Sequence, residues 1–167
     1  MRPARFDLLQ RMPVFGAIRE DALRLLLEHA REREAKAGAH FFRENDPADS
    51  MFVIETGRVA VVKGWQEEAY VLRRLGPGDC FGEMALMDLA PRSATVLAEE
   101  DCRAIEIGSA DLLHLFEHDP EQFALVQMNI GREVCRRLRA VDELLFRERK
   151  GGTPLAAEVL FRAGRTG

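Results

Sequence analysis

The spacing of apolar residues changes period twice along this chain, and that change limits the folds open to it. From Arg19 to Arg31 apolar side chains recur at Ala22, Leu23, Leu26 and Leu27, the spacing of one helical face. A shorter amphipathic segment over residues 5–14 precedes it and stops at Pro13. From Ala39 the period becomes two. Phe41-Phe42-Arg43, Met51 to Ile54, Arg58 to Val62, Glu68 to Leu75, Arg92 to Ala98 and Cys102 to Ile107 each read as a strand. Glu55-Thr56-Gly57 reads as the turn of a hairpin between the second and third of these. The helical period then returns. Ser109 can cap a helix over Ala110 to His118, and Asp119-Pro120 opens another that runs to about Lys150. Its apolar residues Phe123, Val126, Ile130, Val134, Leu138, Val141 and Leu145 step by three or four. Together these predict an α+β chain: an antiparallel β-barrel or jelly roll over about residues 38–108, N-terminal helices, and a long C-terminal helix over about 120–150. Gly151-Gly152 breaks the pattern, and a short helix from Pro154 to Ala163 follows as a possible lid in the tail, residues 151–167.

Between the fourth and fifth strands lies the stretch with the most chemistry, Phe81-Gly82-Glu83-Met84-Ala85-Leu86-Met87-Asp88-Leu89-Ala90-Pro91-Arg92-Ser93-Ala94. A glycine that can take positive φ precedes a carboxylate and one or two turns of helix. The free amides of a helix start favour an anion, and Arg92 supplies a fork that fits two phosphate oxygens. Glu83 cannot hold phosphate; it needs a donor on the same ligand, such as a ribose hydroxyl. Phosphate beside sugar hydroxyl points to a nucleotide. The plainer alternative is a surface turn in which Glu83 and Arg92 pair with each other.

This segment resembles the phosphate-binding cassette of the cyclic-nucleotide-binding domains, the family of the catabolite activator protein and the regulatory subunits of cyclic-AMP-dependent kinases. Gly82, Glu83 and Arg92 match its motif, and the resemblance covers nearly all of residues 5–149. It implies a domain over residues 1–150 whose ligand, cyclic AMP or cyclic GMP, is held by Phe81, Gly82, Glu83, Met84, Ala85, Arg92, Ser93 and Ala94. Glu83 would take the ribose 2′-hydroxyl, Gly82 and Ala85 would offer amides, and Arg92 with Ser93 would take the cyclic phosphate. For the base it implies contacts from Arg73 and from Val141 and Asp142 of the long helix, with cyclic AMP favoured on frequency in the family. It also implies a homodimer through that helix, or another protein partner. The winged helix-turn-helix that follows in activators has no counterpart in residues 151–167, fewer than the 40 or so an independent domain needs, so no nucleic-acid partner is expected. Two other readings stay open: the sensor part of an activator-type transcription regulator, and an interaction module of the same fold with no ligand.

Composition narrows the remaining classes. A formal charge of −4 argues against a general nucleic-acid binder. The three cysteines Cys80, Cys102 and Cys135 are far apart and lack metal-binding spacing, and no apolar run approaches a membrane span, so a cytoplasmic protein without a membrane partner is expected. No nucleophile constellation or Gly-x-x-x-x-Gly-Lys loop is present, so a regulator rather than an enzyme is expected. His114 and His118 lie four apart on one helix, but no third ligand is evident nearby, and no metal is expected. Arg132, Arg136, Arg137 and Arg139 read as the solvated side of the long helix.

Overall fold

The computed structural model describes residues 3–65, 68–150 and 159–162. Three short helices come first: α1 (Pro3–Gln10), a 3-10 turn (Pro13–Phe15) and α2 (Glu20–Leu26). Eight strands follow, β1 (Arg31–Ala35), β2 (His40–Phe42), β3 (Ser50–Thr56), β4 (Val59–Trp65), β5 (Glu68–Leu75), β6 (Cys80–Phe81), β7 (Thr95–Ala98) and β8 (Cys102–Gly108), with helix α3 (Met84–Asp88) between β6 and β7. Helices α4 (Ser109–His118) and α5 (Pro120–Arg149) come next, then β9 (Val159–Arg162). The strands form two antiparallel sheets, in the orders β1-β8-β3-β6 and β2-β7-β4-β5-β9, which face each other as a jelly roll without closing into a barrel.

Strand β3 of the first sheet is buried on both faces, which explains its continuous apolar run. Met51, Val53, Ile105 and Ile107 pack against Leu9, Phe15, Leu23, Leu26, Leu115, Val126 and Ile130 of the helices. Phe52, Ile54, Cys102 and Ala104, on the other face, meet Phe41, Val59, Leu75, Phe81, Val96 and Ala98 between the sheets. Each fully buried Val, Leu, Ile, Phe or Met among them contributes about 1.5–3 kcal/mol relative to exposure. Buried polar groups tie α5 to the N-terminal helices. Gln122 accepts from the Arg19 amide at 2.8 Å, and Asn129 donates to the Gly16 carbonyl at 2.9 Å.

Four expectations change. Glu55-Thr56-Gly57 is not a hairpin turn, because β3 and β4 belong to different sheets. Gly57 sits at φ +86°, where an added Cβ would lie 2.4 Å from the Asp101 carbonyl oxygen. The chain therefore squeezes past the start of β8 and crosses over, and the true hairpin is β4–β5. The second helix ends at Leu26 rather than Arg31, since Arg31–Ala35 pairs with β8. The expected short helix over Pro154–Ala163 is a strand at Val159–Arg162, whose register on β5 matches Tyr70 with Val159 and Glu68 with Arg162. β5 would otherwise show a row of unpaired backbone groups, and Val159-Leu160-Phe161 has β-forming residues. The remainder of that expected helix lies outside the described residues. Lastly, the α4 cap comes from Asp111, whose side chain accepts from the Gly108 amide at 2.7 Å, and not from Ser109.

Candidate functional site

β6 delivers the chain to Gly82 between the sheets. Gly82 has φ +78°, and a Cβ there would stand 2.6 Å from Arg92 Nη1, so turn geometry and side-chain approach both require glycine. Helix α3 follows and stops at Leu89, a left-handed residue (φ 55°) that turns the chain back. Arg92 is then clamped by two backbone bonds: its amide donates to the Asp46 carbonyl at 3.0 Å and its carbonyl accepts from the Asn45 amide at 2.8 Å. The β2–β3 loop thus fixes where the Arg92 side chain starts.

That side chain turns inward and is only 6% exposed. Nη1 donates to the Ser50 carbonyl at 2.6 Å and to the Gly82 carbonyl at 3.1 Å, and Nη2 donates to Ser50 Oγ at 3.1 Å. Ser50 Oγ in turn donates to Glu106 at 3.1 Å. The guanidinium lies 4.1 Å from the Phe42 ring centroid, a cation–π contact at the edge of a cluster of Phe41, Phe42, Phe52 and Phe81. Its Nε is buried and has no partner among the described residues. Burial pulls the Arg92 pKa below its ordinary value, with the surrounding carboxylates opposing. A buried cation with an unused donor favours any anion that can reach it.

Glu83 does not pair with Arg92. It is 3% exposed and bonds Arg137 of α5, Nη1 to Oε1 at 2.5 Å. Arg137 also donates to the Cys80 carbonyl at 2.8 Å and to Glu133 at 2.9 Å. Burial pulls the Arg137 pKa down, but Glu83, Cys80 and Glu133 more than offset this and leave it raised. Burial, with Glu83 nearby, pushes the Cys80 thiol up to about 12. Arg137 was expected in solvent. It continues the inner face of α5 through Gln122, Val126, Ile130 and Glu133, one turn-pair beyond Ile130, so the helical period held the signal. Phe42 and Ser50 gave no such signal, since only the closing of the two sheets brings them to Arg92.

The other expected residues divide. Phe81, Ala85 and Ala94 are buried around the turn. Met84 is exposed, and so is Ser93, whose hydroxyl lies 3.8 Å from Met84 Sδ and whose carbonyl accepts from Lys63 at 2.8 Å. Arg73 is in cross-strand register with Val61, itself opposite Val96, so it stands on the inter-sheet face; it makes no hydrogen bond or ion pair with a described residue. Val141 and Asp142 are exposed on α5, one helical turn past Arg137. The structure does not bring those two to the turn. An apolar groove of about 370 Å³ between α3, α4 and α5, lined by Ala85, Leu86, Leu89, Leu112, Phe116 and Phe123, touches the turn at Ala85 but includes neither Glu83 nor Arg92.

A jelly roll with helices packed on one sheet, a glycine-dependent turn between β6 and β7 and a long helix bonded to that turn set an anion-favouring pocket in direct contact with the C-terminal helix. The chain belongs to the cyclic nucleotide-binding domain family, whose description matches residues 32–119. It is 31% identical over 159 residues to the cyclic AMP receptor protein of Thermus thermophilus, covering 91% of this chain and 71% of that protein. It is 35% identical over 89 residues to the cAMP-dependent protein kinase regulatory subunit of Yarrowia lipolytica, covering 53% of this chain and 23% of that protein. The crystal structure of the Thermus thermophilus catabolite activator protein superposes with a TM-score of 0.70 at 30% identity, over 80% of this chain and 61% of that one. The chain therefore spans a quarter or less of the kinase subunit and about three fifths of the solved activator.

Proposed function

We propose that this chain is a non-enzymatic receptor for a cyclic nucleotide, cyclic AMP in preference to cyclic GMP, that passes its ligand state through α5 to a second copy or another protein. The observation that carries this reading is Arg92, a buried guanidinium with an unpaired Nε, set beside Gly82 in a turn of this family's sequence. The cyclic phosphate carries one negative charge and takes Arg92 and Ser93, with the Gly82 and Ala85 amides alongside. The ribose 2′-hydroxyl donates to Glu83; a carboxylate has about four lone-pair sites, so the hydroxyl and Arg137 can share it. Arg73 stands on the inter-sheet face where the base would enter. Val141 and Asp142 reach the base only if α5 closes over it, and the Glu83–Arg137 pair couples that helix to the ligand.

Beyond Arg137, α5 shows Leu138, Val141, Leu144, Leu145 and Phe146 to solvent, an apolar seam of the kind that pairs two helices. Among the described residues no helix is long and apolar enough to cross a membrane. Calorimetric titration with cyclic AMP and cyclic GMP tests the reading. It expects saturable binding of one nucleotide per chain, and a ratio between the two that shifts in Asp142→Ala. Absence of heat with both nucleotides favours the ligand-free interaction module instead.

A further inference from the structure

Three of the four histidines meet at one surface corner, outside the cassette, where the segment after α2 touches α4. Sequence spacing offered only His114 and His118; the fold adds Glu28 and His29. One ligand atom each from Glu28, His29 and His114 lie within 4.8 Å of one another, and so do those from His114, Glu117 and His118. His114 belongs to both groups. Its ring centroid is 5.3 Å from that of His29 and 4.3 Å from that of His118, and its Nε2 lies 3.8 Å from Glu28 Oε2. His118 Nδ1 is 2.8 Å from the His114 carbonyl oxygen. A carbonyl can only accept, so Nδ1 carries the proton and the Nε2 lone pair is left free. This is the hydrogen bond that metal-ligating histidines make with their second nitrogen.

We propose that this corner binds one divalent, imidazole-preferring metal ion, zinc, through His29, His114 and Glu28, with the exposed His118, beside His114, swinging in as the fourth ligand. Imidazole and carboxylate together suit zinc and not magnesium or calcium, which prefer all-oxygen ligands. Two nitrogens about 2.0–2.1 Å from a tetrahedral zinc are about 3.3 Å apart, so the ligand atoms of Glu28, His29 and His114, all within 4.8 Å of one another, must close by at most about 1.5 Å. Glu28, His29 and His118 are exposed and can do this by side-chain rotation, while half-buried His114 stays fixed. The ion would staple the end of α2 to α4, and so to the start of α5 at Asp119, where Arg19 already pairs with that carboxylate.

The test uses the full chain without a histidine tag, freed of metal, titrated with zinc chloride against a chromophoric chelator and followed by thermal unfolding. The proposal expects one zinc per chain. It also expects Tm to rise by roughly 5–10 °C at about 100 times Kd, with no rise in magnesium. His114→Gln and His29→Gln should each weaken zinc binding by about 10–100-fold or more, while leaving the metal-free Tm and cyclic-nucleotide affinity near those of the parent. The proposal is overturned by no saturable binding below about 100 μM, far weaker than structural sites. Unchanged binding in both histidine variants, loss of binding only in Cys135→Ser, or an equal Tm rise with magnesium would also overturn it.

Discussion

Two arginines reach the same short turn from opposite sides, and they are solvated differently. Arg137 comes from α5 and meets carboxylates, Glu83 at 2.5 Å and Glu133 at 2.9 Å, with a carbonyl for its third contact. Arg92 comes from the loop before β7 and meets two carbonyls, a hydroxyl and aromatic rings, with Nε left over. The first is a closed ion pair; the second is a buried cation still short of an anion. That difference separates a residue that holds the helix to the domain from one whose Nε–H has no partner among the described residues.

The comparison is broken most severely at Arg137. Removing one partner of a buried pair leaves the other charge stranded, at about 3–5 kcal/mol. Arg137→Met should therefore lower stability by about that much in urea unfolding, whereas Arg92→Met should lower it by less, having stranded no carboxylate. Equal losses would mean that the two arginines do not differ as described. Nucleotide affinity should show the reverse order. Arg92→Ala should lose ~2–5 kcal/mol of binding, roughly 30-fold to several thousand-fold, with Arg92→Lys recovering only part because a point charge lacks the fork.

Smaller effects sharpen the assignment of Glu83. Glu83→Ala should cost about 1.5–3 kcal/mol of nucleotide binding and erase the preference for the ribose ligand over its 2′-deoxy analogue. A retained preference would move the hydroxyl contact elsewhere. The exposed half of α5 should respond in assembly alone. Leu138→Asp with Leu145→Asp should shift sedimentation from dimer to monomer while the thermal transition of the jelly roll stays in place. A parent chain that sediments as a monomer at all concentrations would remove the seam from the account.

The turn was legible because its parts are close in sequence: Gly82, Glu83 and Arg92 lie within eleven residues, and each has a chemistry that needs the others. The jelly roll was legible from β3, whose Met51-Phe52-Val53-Ile54 run suits a strand buried on both faces. Long-range pairing was not. β1 reads Arg-Glu-Arg-Glu-Ala, with no apolar alternation, and is a strand because β8 lies beside it in register from Arg31–Glu106 to Ala35–Cys102. The split of β3 and β4 between sheets depends on a close approach at Gly57 that only the folded chain creates. Arg137 was misread for a narrower reason. Its helical phase pointed inward, but a run of arginines on a polar helix suggested solvent, and no local feature showed that Glu83 stood opposite.

The central claim is that the unpaired Nε–H of Arg92 is completed by the cyclic phosphate. The arginine Nε–Hε correlation of ¹⁵N-labelled protein, assigned through loss of one signal in Arg92→Lys, reads that proton directly. On titration with cyclic AMP the Arg92 signal should move downfield and become protected from solvent exchange, and adenosine, which has no phosphate, should leave it unmoved. If cyclic AMP binds and the Arg92 Nε–H signal neither moves nor gains protection, the phosphate sits elsewhere and the site described here is not the receptor site.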